Sequence, residues 1–77
     1  MKLDIYQLKD LIKIKEVSLI IDVSGYSIYE IKDIIKLSID NKCKLHLKNF
    51  NNTITIYNIK DILNITKGYD NIVIDLV

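Results

Sequence analysis

A chain of 77 residues has room for one domain, and a single core of this size gives only marginal stability. Charged residues make up 27% of it and nearly cancel to a formal net charge of +1, which argues against non-specific binding to nucleic acid. The single cysteine excludes an intrachain disulfide and a cysteine-based zinc cluster.

The distribution of charges also bears on location. No uncharged apolar run approaches the roughly 18 residues that cross a bilayer. Charges interrupt the opening MKLDIYQLKD too early for a secretory signal, and a lone cysteine fits a reducing compartment. We therefore expect a cytoplasmic protein that does not enter a membrane.

Patterns of apolar residues divide the chain into helices and strands. In chain order we predict a helix over 5–14, a strand over 17–23, a helix over 28–40, strands over 44–49 and 53–57, a helix from 59 to about 66, and a strand over 72–77. Gly68 is expected to end the last helix or the turn that follows it.

A short motif occurs three times: DIYQLKDLI at 4–12, SIYEIKDII at 27–35 and TIYNIKDIL at 55–63. The copies start about 23 and then 28 residues apart, which is the length of one helix-plus-strand unit. Apolar residues in each copy are spaced as on one face of a helix. In so biased a composition, we take the motif mainly as evidence for secondary structure.

The first two copies carry helix-start signals. Asp4 with Gln7, and Ser27 with Glu30, have the spacing of a capping box, in which each side chain bonds the backbone amide of the other residue. Both copies are therefore expected to begin helices.

The third copy and the residues before it suggest strands. The letters TITI at 53–56 alternate with the period of a strand, so we expect Asn58 to cap a short helix only after them. Asn51-Asn52 supplies a tight turn before this strand. The predicted strands each have one apolar and one polar face, as in an antiparallel sheet with helices on one side.

The predicted fold is therefore α+β. It is an open-faced βαββαβ sandwich over residues 17–77, with a four-stranded antiparallel sheet and an accessory N-terminal helix over residues 1–15 that packs on the core.

This element order and the segment LHLKNFNNTITIYNIKDILNITKGYDNIVI at 45–74 resemble the histidine-containing phosphocarrier family, HPr, of the bacterial phosphotransferase system. The resemblance covers roughly residues 17–77. It places SGYSIYE, at 24–30, on the family's phosphorylation signature, of which only Gly25 is kept.

The chemistry of the signature is replaced at its central position. Ser27 stands where the phosphorylated histidine would be, which makes it the phosphorylation-site equivalent, and Tyr29 stands where the arginine partner would be. A serine phosphate ester is too inert to pass its phosphoryl group on, and Ser27 is also a good helix N-cap. We expect a degenerate HPr-like protein that is not an enzyme and has no catalytic residues.

The resemblance also implies where a protein partner would bind. Tyr26 and Tyr29 flank the start of the helix that family members use for docking, and tyrosines suit partner surfaces. Ile59, Lys60 and Leu63 on the next helix would border the same surface, although Ile59 and Leu63 fit a core equally well. We therefore expect a regulatory module that binds a phosphotransferase-system or other regulatory protein.

Two alternatives remain open at this point. One is a phosphocarrier component that is modified at Ser27 or elsewhere. The other is an RNA-binding βαββαβ domain, although no aromatic residue is clearly placed for base stacking on its mildly basic sheet face, which would comprise Lys44, His46, Lys48, Thr53 and Thr55. His46 is the only histidine and has no evident triad partner, so neither a metal nor a cofactor is expected.

Overall fold

The computed structural model describes residues 3–14, 16–50 and 54–76. The elements within these ranges are, in chain order, α1 (Ile5–Ile12), β1 (Ser18–Asp22), a 3-10 turn (Val23–Gly25), α2 (Ile28–Asn41), β2 (Lys44–Lys48), α3 (Ile56–Thr66) and β3 (Ile72–Ile74). The three strands of this part of the chain form one parallel sheet in the order β1-β2-β3. The chain is thus a succession of helix–strand units.

The prediction of a four-stranded antiparallel sheet is wrong, because residues assigned to its third strand belong to a helix. Thr55 is the N-cap of α3, and its hydroxyl oxygen accepts a hydrogen bond from the Asn58 amide at 3.2 Å. A helix between β2 and β3 makes these strands parallel, since a tight turn joins only antiparallel strands. The turn predicted at Asn51-Asn52 lies outside the described residues.

The three motif copies begin their helices at the same position. Asp4 and Ser27 cap α1 and α2 as predicted, each within a complete capping box, and Thr55 takes the equivalent place before α3. The alternation over 53–56 covers too few residues to outweigh this cap. Asn58, which was expected to be the cap, lies in the first turn of α3 instead.

The helices lie side by side on one face of the sheet, with α2 in the middle. Lys9 of α1 contacts Asp33 of α2 at 3.7 Å, and Lys32 of α2 contacts Asp61 of α3 at 3.4 Å. In both pairs the lysine has the same position in its motif copy, and so does the aspartate. Neighbouring helices therefore run in the same direction and begin at the same level. Exposed pairs of this kind contribute roughly 0.2–1 kcal/mol each, so most of the stability comes from the apolar contacts.

The core lies between the helical layer and the covered face of the sheet. Its fully buried members include Ile34 and Ile35 of α2 and Leu47 of β2. Leu8 and Ile12 of α1 are also buried, which confirms the expected packing of the N-terminal helix on the core.

The other face of the sheet is not covered by the described residues. Ile20, His46 and Val73 are aligned across it by the strand register, and both Ile20 and Val73 are exposed. Parallel sheets in proteins are usually covered on both faces. The polar side predicted for β2 is confirmed, because Lys44 and Lys48 are exposed beside His46.

Shortening one core side chain tests the role of α1. We expect Ile12→Val to lower the free energy of unfolding by about 1 kcal/mol, because it removes a buried methylene and leaves a small cavity. The measurement is urea unfolding followed by circular dichroism. Ile20→Val is the matched control, since Ile20 is exposed, and should change the free energy by less than about 0.5 kcal/mol. Equal effects of both substitutions would contradict the packing of α1.

Candidate functional site

The start of α2 is a closed capping box. The Ser27 amide donates to the Glu30 carboxylate at 2.9 Å, and the Ser27 hydroxyl oxygen accepts from the Glu30 amide at 3.2 Å. An anion arriving at Ser27 would therefore meet a carboxylate that already bonds the available amide. The role of Ser27 as a phosphorylation-site equivalent stays a prediction, and its capping role is confirmed.

Tyr26 serves a structural role. Its side chain is half-buried against the core, and its hydroxyl donates to the backbone carbonyl of Leu3. Burial raises the pKa of Tyr26, and the nearby carboxylates, led by Glu30, raise it further. The side chain thus ties the segment before α1 to the start of α2. This contact joins residues distant in the chain, so no local sequence pattern predicts it.

The carboxyl ends of β1 and β2 are joined by a polar cluster that the sequence did not reveal. Asp22 accepts from the Ser24 amide at 2.9 Å, and the Asn49 side-chain amide donates to both Asp22 oxygens at 3.0 and 3.1 Å. Bonds from Ser24, followed by those from Asn49, lower the pKa of Asp22. These residues lie close together because β1 and β2 are parallel, so that both strands end at the same edge of the sheet.

Two further side chains with reactive groups are Cys43 and His46. The Cys43 thiol is buried and donates to the Val17 carbonyl at 3.4 Å, and burial raises its pKa, which disfavours the nucleophilic thiolate. His46 lies 3.2 Å from Asp75 on the uncovered sheet face. Among the described residues, no cluster of three or more histidine, cysteine or carboxylate side chains is placed to hold a metal ion.

The residues predicted to contact a partner do not share one surface. Tyr29 is exposed on α2, whereas Ile59 is half-buried against the core beneath α3. Lys60 and Leu63 are exposed on α3. Ile56 joins these last two, because residues at i, i+4 and i+7 lie on one side of a helix.

This set, Ile56, Lys60 and Leu63, is here called the α3 stripe. It lies on the side of α3 away from α2, since Asp61, which contacts α2, is about 100° or more around the helix from each member. Ile56 is 60% exposed and Leu63 is 42% exposed. The sequence missed Ile56 because residue 56 was assigned to a strand.

The same motif positions are covered in the other two helices. The equivalent sets are Ile5, Lys9 and Ile12 in α1 and Ile28, Lys32 and Ile35 in α2. Ile12 and Ile35 are 0% exposed, and each lysine contacts an aspartate of the following helix. The α3 stripe is therefore a packing surface of the helical layer that has no helix against it among the described residues.

The opposite end of the layer shows the complementary feature. In α2 and α3, the side that faces the preceding helix carries an aspartate and two apolar residues: Asp33, Ile34 and Leu37, and Asp61, Ile62 and Ile65. Their counterparts at the first copy are Asp10 and Leu11 of α1 and Ile14, which follows the end of that helix; this set is here called the α1 stripe. Ile34 and Ile62 are buried, whereas Leu11 is only half-buried, and Ile14 is 53% exposed where Leu37 and Ile65 are half-buried. The α1 stripe is thus more exposed than its counterparts in α2 and α3.

The low pKa of Asp22 gives a prediction about pH. The bonds to Asp22 should add stability in full above the unfolded carboxyl pKa of about 3.9, and this contribution should be lost as pH falls through the lower folded pKa. Urea unfolding between about pH 5 and pH 2 should therefore show a smaller acid-induced loss for Asp22→Asn than for the wild type. Asp40→Asn, at an exposed site on α2, should behave as the wild type does. An unchanged acid response in Asp22→Asn would refute this account.

Comparisons of the chain with protein-family models, curated proteins and solved structures found no match. They neither support nor contradict the resemblance to the HPr family, but the parallel sheet removes the strand arrangement on which that resemblance was based. No helix among the described residues is long and apolar enough to cross a membrane.

Proposed function

We propose that this protein is a small non-catalytic module that binds a protein partner through the α3 stripe. One observation carries the proposal: Ile56 and Leu63 are exposed at motif positions that are covered in α1 and α2. Burying such side chains supplies most of the affinity of a helix interface. Lys60 favours a partner that has an acidic group opposite the lysine.

The internal contacts suggest the chemistry of the partner. In α1 and α2, the stripe equivalent to the α3 stripe packs on a helix that presents apolar residues and an aspartate to the lysine. A partner of the α3 stripe should have the same character, which is an amphipathic helix with a carboxylate level with Lys60. Exposed Tyr57 adjoins the stripe and supplies further contact area at its rim.

The α3 stripe includes Lys60 and Leu63, which the sequence predicts as partner contacts. It does not include the other three predicted residues, which are Tyr26, Tyr29 and Ile59. Tyr26 and Ile59 are already engaged within the fold, and Tyr29 lies on a different helix. We place the module in the cytoplasm, where the free thiol of Cys43 would be maintained.

Site-specific photo-crosslinking in the source cell tests the proposal. A photoreactive amino acid at position 63 should give a discrete adduct, and Lys60→Glu should reduce its yield by about tenfold, since reversing the charge adds repulsion to lost attraction. The same photoreactive residue at exposed position 36 of α2 is the control and should give no such adduct.

Two results would count against the α3 stripe. Equal adducts from positions 36 and 63 would indicate non-specific collision, and an adduct insensitive to Lys60→Glu would place the contact elsewhere. Thermal unfolding of each variant shows whether the fold is intact, because Lys60 is exposed and should not affect it.

A further inference from the structure

We infer that the partner is a second copy of this chain, added head to tail so that its α1 stripe covers the α3 stripe and its β1 extends the sheet beside β3. The inference rests on the proposed function, because it names the partner of the same stripe. It is supported by the helical layer, by the sheet edges and by a cavity at the carboxyl end of β1.

In the helical layer, the two ends have matching charges. Lys9 with Asp33 and Lys32 with Asp61 form successive pairs, and the motif leaves one further aspartate, Asp10, and one further lysine at the ends. That lysine is the exposed Lys60 of the α3 stripe. A head-to-tail contact would bring it to Asp10 of the next copy and repeat the internal pair.

The apolar residues match in the same way. Leu63 corresponds to Ile12 and Ile35, which are fully buried, and Ile14 corresponds to Leu37 and Ile65, which are half-buried against the core. The contact therefore needs no new type of packing. It repeats the packing of α1 on α2 and of α2 on α3.

The sheet has two edges that fit the same arrangement. Among the described residues, β1 and β3 each pair with β2 alone. The internal register aligns Ile20, His46 and Val73, so the next parallel strand in step would place Ile20 of the second copy beside Val73. These exposed apolar side chains, 69% and 51% accessible at present, would then be cross-strand neighbours.

A cavity of about 360 Å³ lies at the carboxyl end of β1 and is also lined by the turn that follows this strand. Its walls include Leu3 and Leu8, from the segment before α1 and from α1 itself, and Ile20 and Ile21 of β1. A strand added beside β1 would reach this cavity. Leu76 lies just after β3 and is exposed. Side chains of a strand alternate between its two faces, so Leu76 points to the same side as Ile72 and Ile74, which is the core side. It is therefore placed to enter the cavity of the next copy.

One contact opposes the arrangement. One residue beyond the paired segment, the register brings Asp75 beside Asp22 of the next copy, and adjacent like charges on paired strands are unfavourable. His46, 3.2 Å from Asp75, and the Asn49 amide on Asp22 reduce this repulsion. The contact therefore limits affinity without preventing the pairing.

The inferred interface joins two different surfaces, the α1 stripe of one copy and the α3 stripe of another. An assembly of any length therefore still exposes one α1 stripe and one α3 stripe at its ends. Such an interface is heterologous and produces rings or filaments, in contrast to a two-fold dimer, which uses one surface twice. This difference makes a complementation experiment decisive. Leu63→Asp blocks the α3 stripe and leaves the α1 stripe intact, whereas Ile14→Asp does the reverse.

Analytical ultracentrifugation of the purified full chain gives the readout. The wild type should exceed the 9.0 kDa of one copy, with a mass that rises with concentration. Each blocked variant alone should remain a single copy, and their equimolar mixture should form a dimer and nothing larger. Tyr29→Asp makes the same kind of change at an exposed position of α2 that belongs to neither stripe and should assemble as the wild type does.

A charge exchange tests the contact between Lys60 and Asp10. Lys60→Asp or Asp10→Lys alone should weaken association by about tenfold, and the two together in one chain should restore it.

Other outcomes separate the inference from the proposed function. A wild type that stays a single copy at high concentration would overturn self-assembly, as would a failure of the blocked variants to form a dimer on mixing. A photo-crosslinked adduct at position 63 with a different protein would then still support the α3 stripe as a binding surface. An adduct of twice the chain mass, lost in Ile14→Asp, would support both.

Discussion

Because a helix precedes each described strand, all three of these strands enter the sheet in the same direction, and the rest of the structure depends on that constraint. It makes the sheet parallel, sets the helices on one face, and brings the start of each helix to the same end of the molecule. Equivalent motif positions therefore lie at equivalent heights, which is why the lysine of one copy meets the aspartate of the next.

The constraint also separates inner from outer surfaces. A helix with neighbours on both sides buries its apolar residues, as α2 does with Ile34 and Ile35. A helix at the end of the layer has the same sequence pattern but, within the part of the chain that the structure describes, only one neighbouring helix. Since burying an apolar side chain is worth roughly 1.5–3 kcal/mol, the uncovered residues of α3 represent binding energy that the fold itself does not use.

The sequence was most informative where signals were local. The capping boxes at Asp4 and Ser27 marked the starts of α1 and α2 correctly, because cap and partner are only three residues apart. In the third copy two local signals disagree: the alternation over 53–56 predicts a strand, and the motif predicts the helix that forms. Aligning Thr55 with Asp4 and Ser27 would have identified the third helix and, with it, the parallel sheet.

The candidate site was less accessible to prediction, because its members are defined by what lies beside them. Lys60 and Leu63 are predicted from the sequence, but whether Leu63 is core or surface depends on whether another helix packs on that side of α3. Tyr26 was expected to be available to a partner and instead bonds Leu3, 23 residues away. Neither fact can be obtained from spacing within one element.

The repetition of the lysine–aspartate contact has an evolutionary consequence. In a layer where each unit meets only its immediate neighbours, stability is approximately a sum over units and the interfaces between them. Duplication of a helix–strand unit within such a gene would therefore lengthen the protein without requiring new contacts to evolve, and the longer protein would still present the same pair of terminal surfaces.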